Sequence, residues 1–189
     1  MSSVVLTGDT SGAGTITVPA VAGTFTATIG SATGTHYPFT AGTAVASTSG
    51  TSIDFTSIPS WVKRITVMFQ GVSTNGTSNL LIQIGSGSIT SSGYTSGAWS
   101  ANVNNSTSTA GFLITGTNTS AGNCYGNIFI NLFSSNSYVE SHSIGSPANN
   151  NQSVGGGSVT LSGALDRVRI TTVNGTDTFD AGSINILYE

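Results

Sequence analysis

Charge is what this chain has least of. Four of its 189 residues are Lys or Arg, seven are Asp or Glu, and 6% are charged, against about 25% in an ordinary globular domain. Each nucleic-acid phosphate neutralised needs its own cation, so four cations and a net charge of -3 exclude a nucleic-acid partner. Cys124 is the single cysteine, which excludes an intrachain disulfide and any cysteine-based metal cluster. It reads as a small buried thiol. No run approaches the ~20 apolar residues of a membrane span, so no membrane insertion is expected. Residues 1–9 carry neither a basic segment nor a long apolar one, and do not read as a signal peptide. Helical periodicity over several turns is missing as well.

What is present is Ser, Thr, Gly and Asn in quantity, with enough Val, Ile, Leu and Phe to bring hydrophobic residues to 37%. That fraction can bury a core. The Ser and Thr then fall on the solvent side of strands, where β-branched Thr suits a pleated surface. A surface so poor in charge has few repulsive guards against strand-edge pairing, which favours oligomerisation.

Two segments are expected: an N-terminal stalk or attachment arm over residues 1–47 and a β domain over 48–189. In the first, residues 15–19 and 24–29 alternate apolar and polar between frequent glycines. Such short strands cannot bury a face within one chain, so three copies around a common axis are expected, with Ile16, Val18, Phe25 and Ile29 as trimer contacts. In the second, period-2 runs recur: Ile53 and Phe55; Ile65, Val67 and Phe69; Leu80, Ile82 and Ile84, with Leu81 and Gln83 outward; Phe112 and Ile114. Further along come Ile128, Ile130 and Leu132; Val159 and Leu161; Val168 and Ile170; Ile184 and Ile186. Asn75-Gly76 and Asn174-Gly175 read as hairpin turns. The fold class expected is all-β, an antiparallel β-sandwich of jelly-roll-like type. Residues 86–97, 102–110 and 147–157 read as long polar loops, the usual place for binding determinants.

Candidate chemistry is sparse. Glu140 and His142 share a face if residues 138–144 form a strand; a depolymerase would need two carboxylates in a cleft. Asp177 and Asp180 flank Phe179 without the spacing of a specific calcium loop. Asp166 beside Arg167 reads as a local ion pair. No catalytic residue, cofactor or metal is assigned, and the chain reads as a non-enzyme. Tyr94, Trp99, Tyr125 and Tyr138 in the weakly patterned region are the candidate receptor or partner contacts, since aromatic faces stack on sugars or anchor protein contacts.

Residues 52–60 running into 61–72, then 158–163, 165–175 and 179–189, resemble a C-terminal β domain of tail-fibre-like and other virion surface proteins of tailed bacteriophages. The opening Gly8-Asp9-Thr10-Ser11-Gly12 and residues 16–23 resemble slender phage-fibre stalk repeats. The resemblance implies a homotrimeric all-β protein on the virion surface, assembled in the host cytoplasm. A short tail fibre or fibre tip mediating host attachment is the first expectation, its partners being a tail or baseplate adaptor and a host surface glycan or protein. A trimeric capsid decoration (cement) or head-fibre protein bound to the major capsid protein is the alternative.

Overall fold

The computed structural model describes residues 25–29, 32–36, 39–101, 103–120 and 122–189. Ile16 and Val18 lie outside them. The chain divides between Tyr37 and Pro38, ahead of the boundary expected after residue 47. In the first unit β1 (Phe25–Ile29) and β2 (Ala32–His36) pair antiparallel, Phe25 opposite His36 and Ile29 opposite Ala32. Those two trimer-contact candidates therefore stand at the two ends of one strand.

The second unit is an antiparallel β-sandwich, as expected. Its strands are β3 (Thr40–Ala41), β4 (Val45–Ala46), β5 (Ile53–Thr56), β6 (Arg64–Thr74), β7 (Leu80–Ser86), β8 (Ser88–Ile89) and β9 (Thr95–Ser100). There follow β10 (Val103–Ser108), β11 (Phe112–Leu113), β12 (Cys124–Ser134), β13 (Ser137–Ser146), β14 (Asn151–Thr160), β15 (Arg167–Thr172) and β16 (Phe179–Tyr188). The larger sheet has nine strands in the order β10-β9-β14-β13-β12-β6-β16-β3, with β4 also on β16. The smaller has five, β11-β7-β15-β5 with β8 on β7.

Strict alternation places Ile65, Val67 and Phe69 of β6 and Ile128 and Ile130 of β12 in one core with Ile82, Ile84, Val168 and Ile170 of the smaller sheet. Each such side chain stabilises the fold by about 1.5–3 kcal/mol when fully buried. Leu81 points away from that core but is not solvated. It packs with Leu113 and with Ala98 of β9 in a separate buried cluster, so the β14-β9-β10 end of the larger sheet covers the second face of β7 and β11.

The two Asn-Gly pairs do not make hairpins. Asn75-Gly76 joins β6 to β7 and Asn174-Gly175 joins β15 to β16, and each connection passes from one sheet to the other. Only Gly175 of its pair has positive φ, at 67°. The turn side chains instead tie the two crossovers together. Thr178 N–H donates to Asn75 Oδ1 at 2.9 Å, and Ser78 N–H to Asp177 Oδ2 at 2.9 Å. Tight hairpins lie elsewhere: β12–β13, for one, turns at Ser135 with φ 47°.

Three stretches expected to be loops contain strands β9, β10 and β14. Their inward positions carry Ser96, Ala98 and Ser100 on β9 and Ser153, Gly155 and Gly157 on β14, which leaves no apolar alternation to read. The small residues have a structural cause. Gly155 lies opposite His142, and a Cβ on it would sit 2.5 Å from the imidazole Cε1 and 2.4 Å from the Gly97 carbonyl oxygen.

Candidate binding face

The outer surface of the larger sheet is set by pairing register. Asn127 of β12, Ser143 of β13, Val154 of β14 and Trp99 of β9 lie in one row across four strands. The next row carries Tyr125, Gly145 and Gln152, and the row on the other side Phe129, Ser141, Gly156 and Gly97. Period-2 geometry puts all of these on one face. Trp99 is 50% exposed and its cross-strand neighbour Val154 44%. Tyr125, 44% exposed, rises three strands away from Trp99. Its ring reaches toward Gly71, a φ +67° bulge residue on which a Cβ would stand 3.3 Å from the phenol oxygen.

Two open clefts score this face. One of about 580 Å³ runs between Tyr125, Ser143, Gln152 and Asn150. Another of about 530 Å³ lies beyond Trp99, floored by Gly97 and Gly156 and walled by Thr95, Asn105, Thr107 and Ser158. A recess of about 190 Å³ at Trp99, Ala101, Gln152 and Val154 shares lining residues with both. The two clefts fall in the size range of ligand sites, and among the described residues no charged side chain lines any of the three spaces.

Trp99 and Tyr125 thus share a face, whereas Tyr94 and Tyr138 do not reach it, and that expectation is corrected. Tyr94 is 2% exposed, packs edge-on against Phe112 at 5.0 Å and receives the Ile84 N–H on its hydroxyl at 2.8 Å. Burial pushes its pKa up to about 12. Tyr138 lies on the inward side of β13, and its hydroxyl accepts the Leu165 N–H at 3.0 Å. Tyr138→Phe should leave that buried N–H unsatisfied and lower the unfolding free energy by about 1–3 kcal/mol. Urea titration measures the loss, and any surface binding should be unchanged.

Glu140 and His142 do share a face, but it is the interior one. His142 Nδ1 and Glu140 Oε1 are 2.7 Å apart, both side chains are fully buried, and Glu140 Oε2 and His142 Nε2 have no hydrogen-bond partner. Desolvation pushes the Glu140 carboxyl up, while the hydrogen bond from His142 and that residue's charge pull it back. This pair is enclosed within the sandwich and faces neither cleft.

The remaining charges serve structure. Asp166 grips Arg167 through both oxygens, and Arg169 pairs with Asp54 across β15 and β5. Hydrogen bonding to Arg167 holds the Asp166 carboxyl below its usual range. Arg64 meets Glu189 at 3.2 Å and lies 5.0 Å above the Phe129 ring. Asp177 spends its oxygens on Asn174 and Ser78, which lowers its pKa, and Asp180 accepts from Ser73. Among the described residues, no three His, Cys, Asp or Glu gather as a metal site. Cys124 is buried, with its thiol pushed up to about 11.

Val154, Gln152, Asn127 and Ser143 are additions to the candidate surface. Once β12 and β13 are recognised as paired strands, alternation from the buried Ile128 and Ile144 would have found the last two; the others lay in a stretch without pattern. No protein-family model, curated protein or solved structure matches this chain.

Proposed function

We propose that this protein is a structural component of a bacteriophage particle, a homotrimeric short tail fibre or fibre tip whose sandwich carries the host-attachment surface. The observation that carries the reading is the half-exposed Trp99–Tyr125 face, an aromatic surface spanning β12 to β9 of the larger sheet. Exposed aromatics rimmed by polar groups characterise attachment surfaces. The sequence resemblance to phage virion β domains supports the same reading, and so does the scarcity of free cations, which suits neither nucleic acid nor an anionic membrane. A trimer would place three such faces on one particle feature, multiplying weak contacts.

A second reading, capsid decoration on the major capsid protein, is favoured by Phe133. It is the most exposed large apolar side chain among the described residues, at 74%, and stands at the β12–β13 turn where it suits protein docking. Gold-labelled antibody on intact particles separates the two. Label at the tail or baseplate, with adsorption to host cells reduced about tenfold or more in Trp99→Ala particles, is the expected result. Label over the shell, with adsorption unaffected and particle stability dependent on the protein, would establish decoration instead.

A further inference from the structure

We propose that the face centred on Trp99 is a binding site for an uncharged polysaccharide, laid across β12, β13, β14 and β9 with one sugar ring stacked on the indole. This rests on the attachment reading for its biological setting, but the chemistry stands on the face itself.

The lining selects the ligand class. Around Trp99 and Tyr125 the side chains that reach the clefts are amides and hydroxyls: Asn105, Thr107, Ser143, Asn150 and Gln152. Such groups both donate and accept hydrogen bonds, which matches sugar hydroxyls. A sialylated or uronic-acid chain would find no cation lining either cleft: Arg64, on the same face above Phe129, is already paired with Glu189. Arg64, Arg167 and Arg169 each hold a carboxylate away from the clefts. A cationic ligand would equally find no carboxylate lining them.

The backbone argues against an extended peptide. Peptides commonly bind sheets by adding a strand to an open edge, whereas β12, β13 and β14 each have a partner on both sides and β9 lies between β14 and β10. A ligand on this face meets side chains and bare peptide planes only. Gly97 and Gly156 are paired directly and supply such a plane beside the indole, whose Cη2 comes within 4.0 Å of where a Gly97 Cβ would lie. An exposed ring edge above a flat floor accommodates a pyranose face.

Size points to a chain rather than one sugar. Tyr125 and Trp99 stand on strands three spacings apart, roughly 14 Å, and the small recess between the two clefts borrows Ala101 and Gln152 from one and Trp99 from the other.

The test is affinity electrophoresis of the purified full chain through gels containing dextran, glycogen, mannan, laminarin or galactan, with alginate as the anionic comparison. The expected result is retardation by at least one neutral polymer, insensitive to salt because no ion pair is formed. Affinity should fall about tenfold or more in Trp99→Ala and be largely restored in Trp99→Phe. Gly156→Val, which fills the floor, should weaken it as well. Circular dichroism and melting temperature confirm that each variant is folded. Retardation by alginate alone, by no neutral polymer, or equally in wild type and a folded Trp99→Ala would overturn the proposal. Because binding is measured on isolated protein, polysaccharide recognition by a protein labelled over the capsid would refute tail attachment and leave this inference standing.

Discussion

Replacing His142 by leucine alone should lower the unfolding free energy by about 3–5 kcal/mol at neutral pH, because it strands a buried carboxylate. The double replacement Glu140→Leu with His142→Leu should recover wild-type stability or exceed it by about 1–4 kcal/mol. The reasoning is that a buried pair is held together at the cost of desolvating both members, and here two of its polar atoms already lack partners. Removing one member leaves the other worse off, while removing both ends the cost. The pH dependence carries a definite sign. Burial raises the native Glu140 carboxyl above its ordinary 4.5, so between 4.5 and that raised value the native state holds a proton that the unfolded chain has released. That contribution is complete below 4.5 and is lost as pH rises through the raised native value. The His142→Leu variant, with no imidazole to offset the desolvation, should therefore gain stability on acidification toward pH 4.5 relative to the double variant. Urea titrations of the four proteins of this cycle at several pH values measure both effects. A single variant as stable as wild type would mean that the pair is not closed off from water.

Gly182→Ala should cost roughly 4 kcal/mol or abolish folding, an effect in the exceptional range for one methyl group. Gly182 lies on β16 at φ +90°, within the irregular register against β6, and its Cβ would stand 2.3 Å from the Gly71 carbonyl oxygen. Gly71 is itself at φ +67°. Two left-handed glycines in contact let the paired strands bulge without parting, and neither strand can retreat, since β6 and β16 lie side by side within the larger sheet. Gly93→Ala is the control. Its φ is +81° but nothing lies within 4 Å of the added carbon, so only the backbone penalty of about 1–2 kcal/mol applies. Equal losses in the two variants, measured by thermal melting, would show that the close approach at Gly182 is readily relieved.

Legibility in the sequence followed the size of inward side chains. β6, β7, β12, β15 and β16 each carry Ile, Val, Leu or Phe at alternate core-facing positions over part of their length, and each was visible. β9 and the first part of β14 were not, because their inward positions shrink to Ser, Ala and Gly, Gly155 beneath His142 and Ala98 against Leu81 and Leu113. The polar pair was noticed, but not that it erases the pattern of the strands beside it. Turn chemistry at the Asn-Gly pairs marked chain reversal points, yet local sequence does not say whether a reversal stays in one sheet. Among the aromatics, Tyr138 shares parity with Ile144 six positions on, so alternation could have placed it inside. Trp99 differs from its neighbours by one step of a strand that had no visible parity, and only pairing with Val154 fixes its direction.

The order in which the chain is synthesised gives the sheet pairings a further consequence. β16 supplies partners to β3, β4 and β6, and β15 does so for β5 and β7. Strands made early therefore wait for strands made more than a hundred residues later, since Ile65 pairs with Tyr188 and Ile53 with Ile170. Pairing at such separation is slow and leaves edges open to neighbouring nascent chains meanwhile. A polypeptide interrupted before residue 179 lacks β16 altogether and cannot close its larger sheet. Such fragments should be cleaved by protease far faster than the full chain, which limited proteolysis of a truncation ending at residue 178 would show.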